Sequence, residues 1–159
     1  MIIKGYIEED FSQYKFPTMT IATARCSFKC NELNGKCICQ NWELVKKADI
    51  EISNQELINI YLKNPITKAI CLGGLDPLDT FAEVLSFIKD FRMVSNDTII
   101  IYTGYSEGEV RLMGCWNMLA QYPNIILKVG RYIMDCEPHY DELLGVQLAS
   151  PNQYAVRVN

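Results

Sequence analysis

The sequence has no excess of positive charge: 15 Lys and Arg stand against 19 Asp and Glu, a formal net charge of -4 over 159 residues. No basic patch breaks that balance, so DNA and RNA are not expected as partners. No stretch approaches the ~18 consecutive apolar residues of a membrane span. The opening MIIKGYIEEDF lacks the basic region followed by an apolar run that marks a secretory signal. The expectation is a cytoplasmic protein that does not meet a membrane. Low-complexity linkers and blocks of like charge are missing too, which leaves no point at which to divide the chain. One domain, residues 1–159, is expected, and a domain of this size buries about 70% of the surface its unfolded chain exposes. Such a core needs no disulfide staples.

What the chain does have is cysteine. There are seven, and Cys26, Cys30, Cys37 and Cys39 crowd into fourteen residues of the stretch ATARCSFKCNELNGKCICQNWEL. An odd count in a reducing compartment argues for metal binding, redox chemistry or burial rather than a disulfide framework. A structural zinc site is one alternative. Zinc ribbons and fingers, however, bring together two short-spaced pairs from separate parts of a chain, and these four have no distant partner pair. Cys71, Cys115 and Cys136 stand alone and read as buried or idle thiols.

The rest of the chain is punctuated regularly. Met19 to Thr23 is an apolar, β-branched run ending at the cysteines, and Ser53 with Glu56 forms a capping-box pattern that opens a helix to about Lys63. Thr67 to Leu72 is a second strand, stopped by Gly73-Gly74. Asp79 then caps a helix whose Phe81, Val84, Leu85, Ile88 and Phe91 recur at helical spacing. Thr98 to Tyr102 is a third strand, Ser106 and Glu109 make another capping box for a helix to about Tyr122, and Ile125 to Val129 is a fourth strand. The alternation β-α-β-α-β-α-β, with near-continuous apolar strands, predicts an α/β fold with a parallel sheet covered by helices. An N-terminal and a C-terminal strand complete it. In such a sheet the loops leaving the carboxyl ends of the strands converge on one edge. Here those loops carry the cysteines, then Gly73-Gly74-Leu75-Asp76-Pro77, then Tyr102-Thr103-Gly104-Tyr105.

In these features the sequence resembles the radical S-adenosylmethionine superfamily, and within it the activating proteins of anaerobic (class III) ribonucleotide reductase. Members carry three cysteines after the first strand, usually spaced C-x3-C-x2-C and often followed by a polar residue and Asn. Cys26-Ser27-Phe28-Lys29-Cys30 is similar to the first half, and Cys39-Gln40-Asn41 to the second. Gly73-Gly74-Leu75-Asp76-Pro77 resembles the family's Gly-Gly-Glu-Pro with one residue added. IIIYTGYSEGEV and the closing LASPNQ are similar to the activating proteins' third strand and C-terminal ending. The likeness spans roughly residues 16 to 153. One departure is large: eight residues, not two, separate Cys30 from Cys39, so Asn31 to Lys36 should bulge out of the loop, with Gly35 permitting the bulge. The family's frequent aromatic before the last cysteine is Ile38 here.

The resemblance implies a partial, open (β/α) barrel of parallel strands with covering helices, since a full barrel takes ~250 residues. It implies a 4Fe-4S cluster on Cys26, Cys30 and Cys39, with Cys37 the competing third ligand. Three thiolates leave one iron open to the amino and carboxylate groups of S-adenosylmethionine. Gly73, Gly74, Asp76, Thr103 and Gly104 are the expected cofactor-binding residues, the glycine carbonyls receiving the methionine ammonium. The implied activity is reductive cleavage of S-adenosylmethionine and generation of a glycyl radical on a large anaerobic ribonucleotide reductase subunit. A low-potential donor such as flavodoxin or ferredoxin would supply the electron. Modification of another protein or peptide, and a non-catalytic electron-transfer or accessory role, are the alternatives.

Several of these residues also have plain structural readings. Gly73-Gly74 fits an ordinary strand-to-helix turn, and Tyr102 and Tyr105 fit packing at a strand end. His139, the one histidine, lies among acidic residues in DCEPHYDE and reads as a solvated loop residue. Lys128 and Arg131 flank Gly130, placed either to meet a cofactor carboxylate or to face solvent.

Overall fold

A computed structural model describes all 159 residues. The chain opens with two strands, β1 (Ile2–Asp10) and β2 (Thr18–Thr23), then two short helices, α1 (Lys29–Asn34) and α2 (Trp42–Lys46), and a two-residue strand β3 (Ile50–Glu51). Next come α3 (Asn54–Lys63), β4 (Ala69–Gly74), a 3-10 turn (Pro77–Thr80) running into α4 (Phe81–Arg92), and β5 (Thr98–Tyr102). Helices α5 (Glu107–Leu112) and α6 (Cys115–Leu119) lead to β6 (Ile125–Val129). A hairpin of β7 (His139–Asp141) and β8 (Val146–Leu148) precedes the last strand, β9 (Tyr154–Arg157).

Seven strands form one sheet in the order β3-β1-β2-β4-β5-β6-β9. The fold is α/β, and β2, β4, β5 and β6 are parallel neighbours as the alternation predicts. The flanks differ: β1 and β3 on one side and β9 on the other run antiparallel, so the sheet is mixed and ends in two edges without closing. The loop of residues 11–17 that joins β1 to β2 holds no crossover helix, so β2 returns antiparallel, because a parallel return needs a crossover.

The strands alternate between two apolar layers. Ile70, Leu72, Ile99, Ile101, Ile125 and Leu127 face the helices, where they pack on Leu57, Ile58, Phe87, Phe91 and Leu119. Ala69, Ile100 and Ile126 face the other way, onto Tyr14, Leu144 and Leu148 beside the β7–β8 hairpin. Burial on both faces is why these strands read as unbroken apolar runs. The hairpin covers only part of that second face. Toward the carboxyl ends a row of residues in register, Ala22, Gly73, Tyr102 and Lys128, is left to line a cavity.

Local signals account for the helix boundaries, with two corrections. Ser53 accepts a bond from the Glu56 amide, and Ser106 with Glu109 closes a complete capping box. The helix expected to run to Tyr122 is instead two, because Gly114 takes a left-handed φ of +77° between α5 and α6. The residue preceding α4 is Thr80, not Asp79; the Asp79 carboxylate accepts from the Ser27 amide at 2.6 Å and the Tyr105 hydroxyl at 2.7 Å.

Candidate metal centre and cofactor pocket

A cavity of about 570 Å³ opens at the carboxyl ends of the parallel strands. Cys26, Cys30 and Cys39 line it, and so do Gly73, Gly74, Asp76, Thr103 and Gly104. Cys37 is exposed and stands outside the lining, and no two of the seven cysteines are joined. Cys71 and Cys115 are buried as expected, and Cys136 is half-buried.

Several bonds shape the cysteine loop. At the end of β2 the Thr23 hydroxyl donates to the carbonyls of Gly73 (3.1 Å) and Leu75 (2.8 Å), tying the start of the loop to the glycine turn. Asp79 holds the Ser27 amide, and Phe28 takes a left-handed φ of 54° before α1 begins. The insertion is therefore not a loose bulge. Its first half is α1, with Cys30 in the first turn and Gly35 ending the helix at φ 66°. The Asn31 Oδ1 then accepts from the Ile38 amide at 2.9 Å and turns the chain back toward Cys39. Beyond Cys39, the Asn41 side chain donates to the Gly74 carbonyl at 2.6 Å. The Gly73 and Gly74 carbonyls thus already accept protein donors.

Asp76 ties the second loop to the third. It is 9% exposed and accepts from the Leu78 amide, the Thr103 hydroxyl at 2.8 Å and the Gly104 amide at 2.8 Å. Burial pushes its carboxyl up, and those bonds oppose the shift. Thr103 also accepts from the Tyr105 amide, so its hydroxyl is committed within the protein. Desolvation pushes the Cys26 thiol up to about 11 and raises Cys30, to which the neighbouring Cys39 adds. A thiol so placed keeps its proton at neutral pH until a metal binds the sulfur and displaces that proton to solvent.

The cations at this edge divide sharply. Lys128 is 7% exposed, lines the cavity, has no carboxylate within ion-pair distance, and donates one long bond of 3.3 Å to the Gly130 carbonyl. Desolvation lowers its ammonium to about 8. The signal was a single charge inside the apolar run IILKV. Arg131 instead grips Glu109 with two bonds, 2.7 and 2.8 Å, and lies 5.6 Å from the Tyr105 ring, with Lys29 4.8 Å from the same ring. Tyr105 is buried and Tyr102 donates its hydroxyl to the Gln13 carbonyl, the packing roles their positions suggested. His139 corrects its reading as a solvated loop residue: it begins β7 and its Nδ1 is buried with no partner.

The Arg131 grip holds the Glu109 carboxyl at about 2 against its ordinary 4.5. A carboxyl lowered by folding stabilises above its unfolded value and loses that stabilisation as pH falls. The expected result is that Glu109→Gln flattens the decline in stability between pH 4.5 and 2 relative to the unaltered protein, read by urea unfolding along a pH series.

The donor set suits an iron-sulfur cluster. No three Cys, His, Asp or Glu side chains gather closely enough to hold a single ion. A 4Fe-4S cluster makes a different demand, because each thiolate binds its own iron and the three sulfurs stand apart around it. Three free thiols around one cavity, with a fourth turned away, meet that demand. Nothing among curated proteins or solved structures matches the chain. Residues 18–147, from the start of β2 into the β7–β8 hairpin, match the family described as a 4Fe-4S single cluster domain, and the chain belongs to that family.

Proposed function

We propose that the protein is a radical S-adenosylmethionine enzyme that generates a glycyl radical on an anaerobic ribonucleotide reductase. The observation that carries this reading is the sharing of one cavity by Cys26, Cys30, Cys39 and the Gly73-Gly74 turn. A carrier that only passes electrons needs a cluster but no cavity beside it, which is why the electron-transfer or accessory role ranks second. The four parallel strands with α3 to α6 would form the built part of an open (β/α) barrel, its cavity at the end where such barrels act.

Cys26, Cys30 and Cys39 would hold the cluster, leaving one iron for the amino-acid end of S-adenosylmethionine. When bound, the cluster would supply the single electron for reductive cleavage of S-adenosylmethionine, and through it the hydrogen-atom abstraction from the substrate glycine. The protein's own residues orient the cofactor. The Gly74 carbonyl would accept from the methionine ammonium. Lys128, buried without a counter-ion, would pair with the carboxylate, and a partner of opposite charge there offsets its desolvation. Asp76 and Thr103 would act by fixing the two loops rather than by touching the cofactor, since their polar atoms are already bonded to each other. The cavity mouth needs cover against solvent, and a mobile glycine-bearing tail of the reductase would supply it.

The test is anaerobic. The reconstituted protein, reduced with dithionite, flavodoxin or ferredoxin, is expected to convert S-adenosylmethionine to 5'-deoxyadenosine. With a reductase subunit added, electron paramagnetic resonance should show the doublet of a glycyl radical. A fully loaded, fully reduced protein that makes no 5'-deoxyadenosine with any candidate partner would establish the carrier role instead. If 5'-deoxyadenosine accumulates with a different protein and no doublet appears, the ribonucleotide reductase assignment fails.

A further inference from the structure

The cysteine loop's eight-residue spacing places Asn34 in contact with a distant part of the chain. Its Nδ2 donates to the Cys30 carbonyl at 2.7 Å and to the Tyr132 carbonyl at 3.0 Å, while its Oδ1 accepts from the Met134 amide at 3.0 Å. Both donors and the acceptor of the amide are thereby used. These are the only hydrogen bonds between α1 and the segment after β6, which lies about a hundred residues away in sequence.

The other ties on α1 are few: the Asn31 Oδ1 accepts from the Ile38 amide, and Lys29 stands 4.8 Å from the Tyr105 ring. The helix is six residues long, contains no buried residue, and has no side-chain bond at its N-terminus. A helix this short does not persist by itself, because the nucleation cost is not recovered in so few bonds. The orientation of α1 is set by what ties it down, and Cys30 is in its first turn.

We infer that Asn34 is a positioning residue for Cys30. One amide group fixes the carbonyl of that cysteine and, through Tyr132 and Met134, registers it against the wall of the cavity that follows β6; Tyr132 lines that wall. Cys30 being a cluster ligand, as proposed above, is the reading on which this role rests. The groups that hold a ligand tune the metal as well as place it, so the spacing between Cys30 and Cys39 is what carries the tether.

The experiment compares reconstituted, reduced Asn34→Ala, Asn34→Asp and Cys30→Ala proteins with the unaltered one, by electron paramagnetic resonance and by amide hydrogen exchange at Met134. Asp keeps an acceptor for the Met134 amide but has no donor for the Cys30 carbonyl. Asn34→Ala is expected to speed Met134 exchange about tenfold, the loss of roughly one hydrogen bond, and Asn34→Asp to leave it protected. Both Asn34 variants should bind iron yet give altered g-values, and Cys30→Ala should lose the normal signal altogether. Unaltered g-values in both Asn34 variants, with Cys30→Ala lacking its signal, would overturn the positioning role while leaving Cys30 as ligand. A normal signal from Cys30→Ala would overturn the ligand reading itself.

Discussion

Alanine at Cys26, Cys30 or Cys39 is expected to abolish the iron-sulfur cluster, while Cys37→Ala retains it. The difference is geometric. The first three thiols line the cavity from three points of one loop, whereas Cys37 sits on its exposed outer side, its sulfur 3.9 Å from the Asn31 side-chain nitrogen. A cluster held by three thiolates has no spare ligand, so each loss is close to all-or-none. Iron and sulfide assay of the four variants after anaerobic reconstitution decides it. Cluster loss in Cys37→Ala with retention in Cys39→Ala would exchange the roles of those two residues.

The two adjacent glycines are expected to respond in opposite ways. Gly74 has φ +80°, and a Cβ there would meet the Cβ of Ala22 at 2.8 Å, its Cα at 3.0 Å and the Leu44 Cδ1 at 3.0 Å. Gly74→Val therefore combines left-handed strain with overpacking, about 3 kcal/mol or more of lost stability. That is roughly 6–12 °C in melting temperature for a chain of this length. The clash is with Ala22 and Leu44, packed neighbours in the cavity wall, so its first effect is on folding. Gly73 is the position whose side chain would enter the cofactor space: its Cβ would stand 3.4 Å from the Tyr102 Cβ, on the face that lines the cavity. Gly73→Val is expected to fold with a near-normal melting temperature and to bind S-adenosylmethionine at least about tenfold more weakly, a cost of ~1.4 kcal/mol for displaced contacts. Equal affinity in Gly73→Val and the unaltered protein would mean that the cofactor does not approach this turn.

How much of this was legible depended on whether the cause was local. The runs TIIIY and IILKV are β5 and β6, because strands covered on both faces must be apolar throughout. The Ser106–Glu109 box is visible because its partners are three residues apart. The cysteines and glycine turns could be placed at one edge because parallel topology puts every such loop there. Direction at the flanks was not legible, since β9 runs antiparallel to β6 and no residue within the strand marks that course. The break at Gly114 was hidden inside a helical apolar pattern. Asp79 looked like a helix cap because its sequence position suits one, yet its partners, Ser27 and Tyr105, lie 52 and 26 residues away. The same holds for Asn34, whose type and place gave no hint of Tyr132 and Met134.

The absence of any buried residue in α1 bears on when iron enters. Segments without buried apolar contacts open at far lower free energy than the core they border. The Cys30 thiol, in the first turn of α1, is therefore expected to become accessible while the seven-stranded sheet and its helices stay assembled. Metal uptake and folding are then expected to be separable in this chain, unlike in a zinc finger, where the ion is the core. Apoprotein should then accumulate as a folded reservoir, with cluster delivery a late maturation step acting on the cysteine loop.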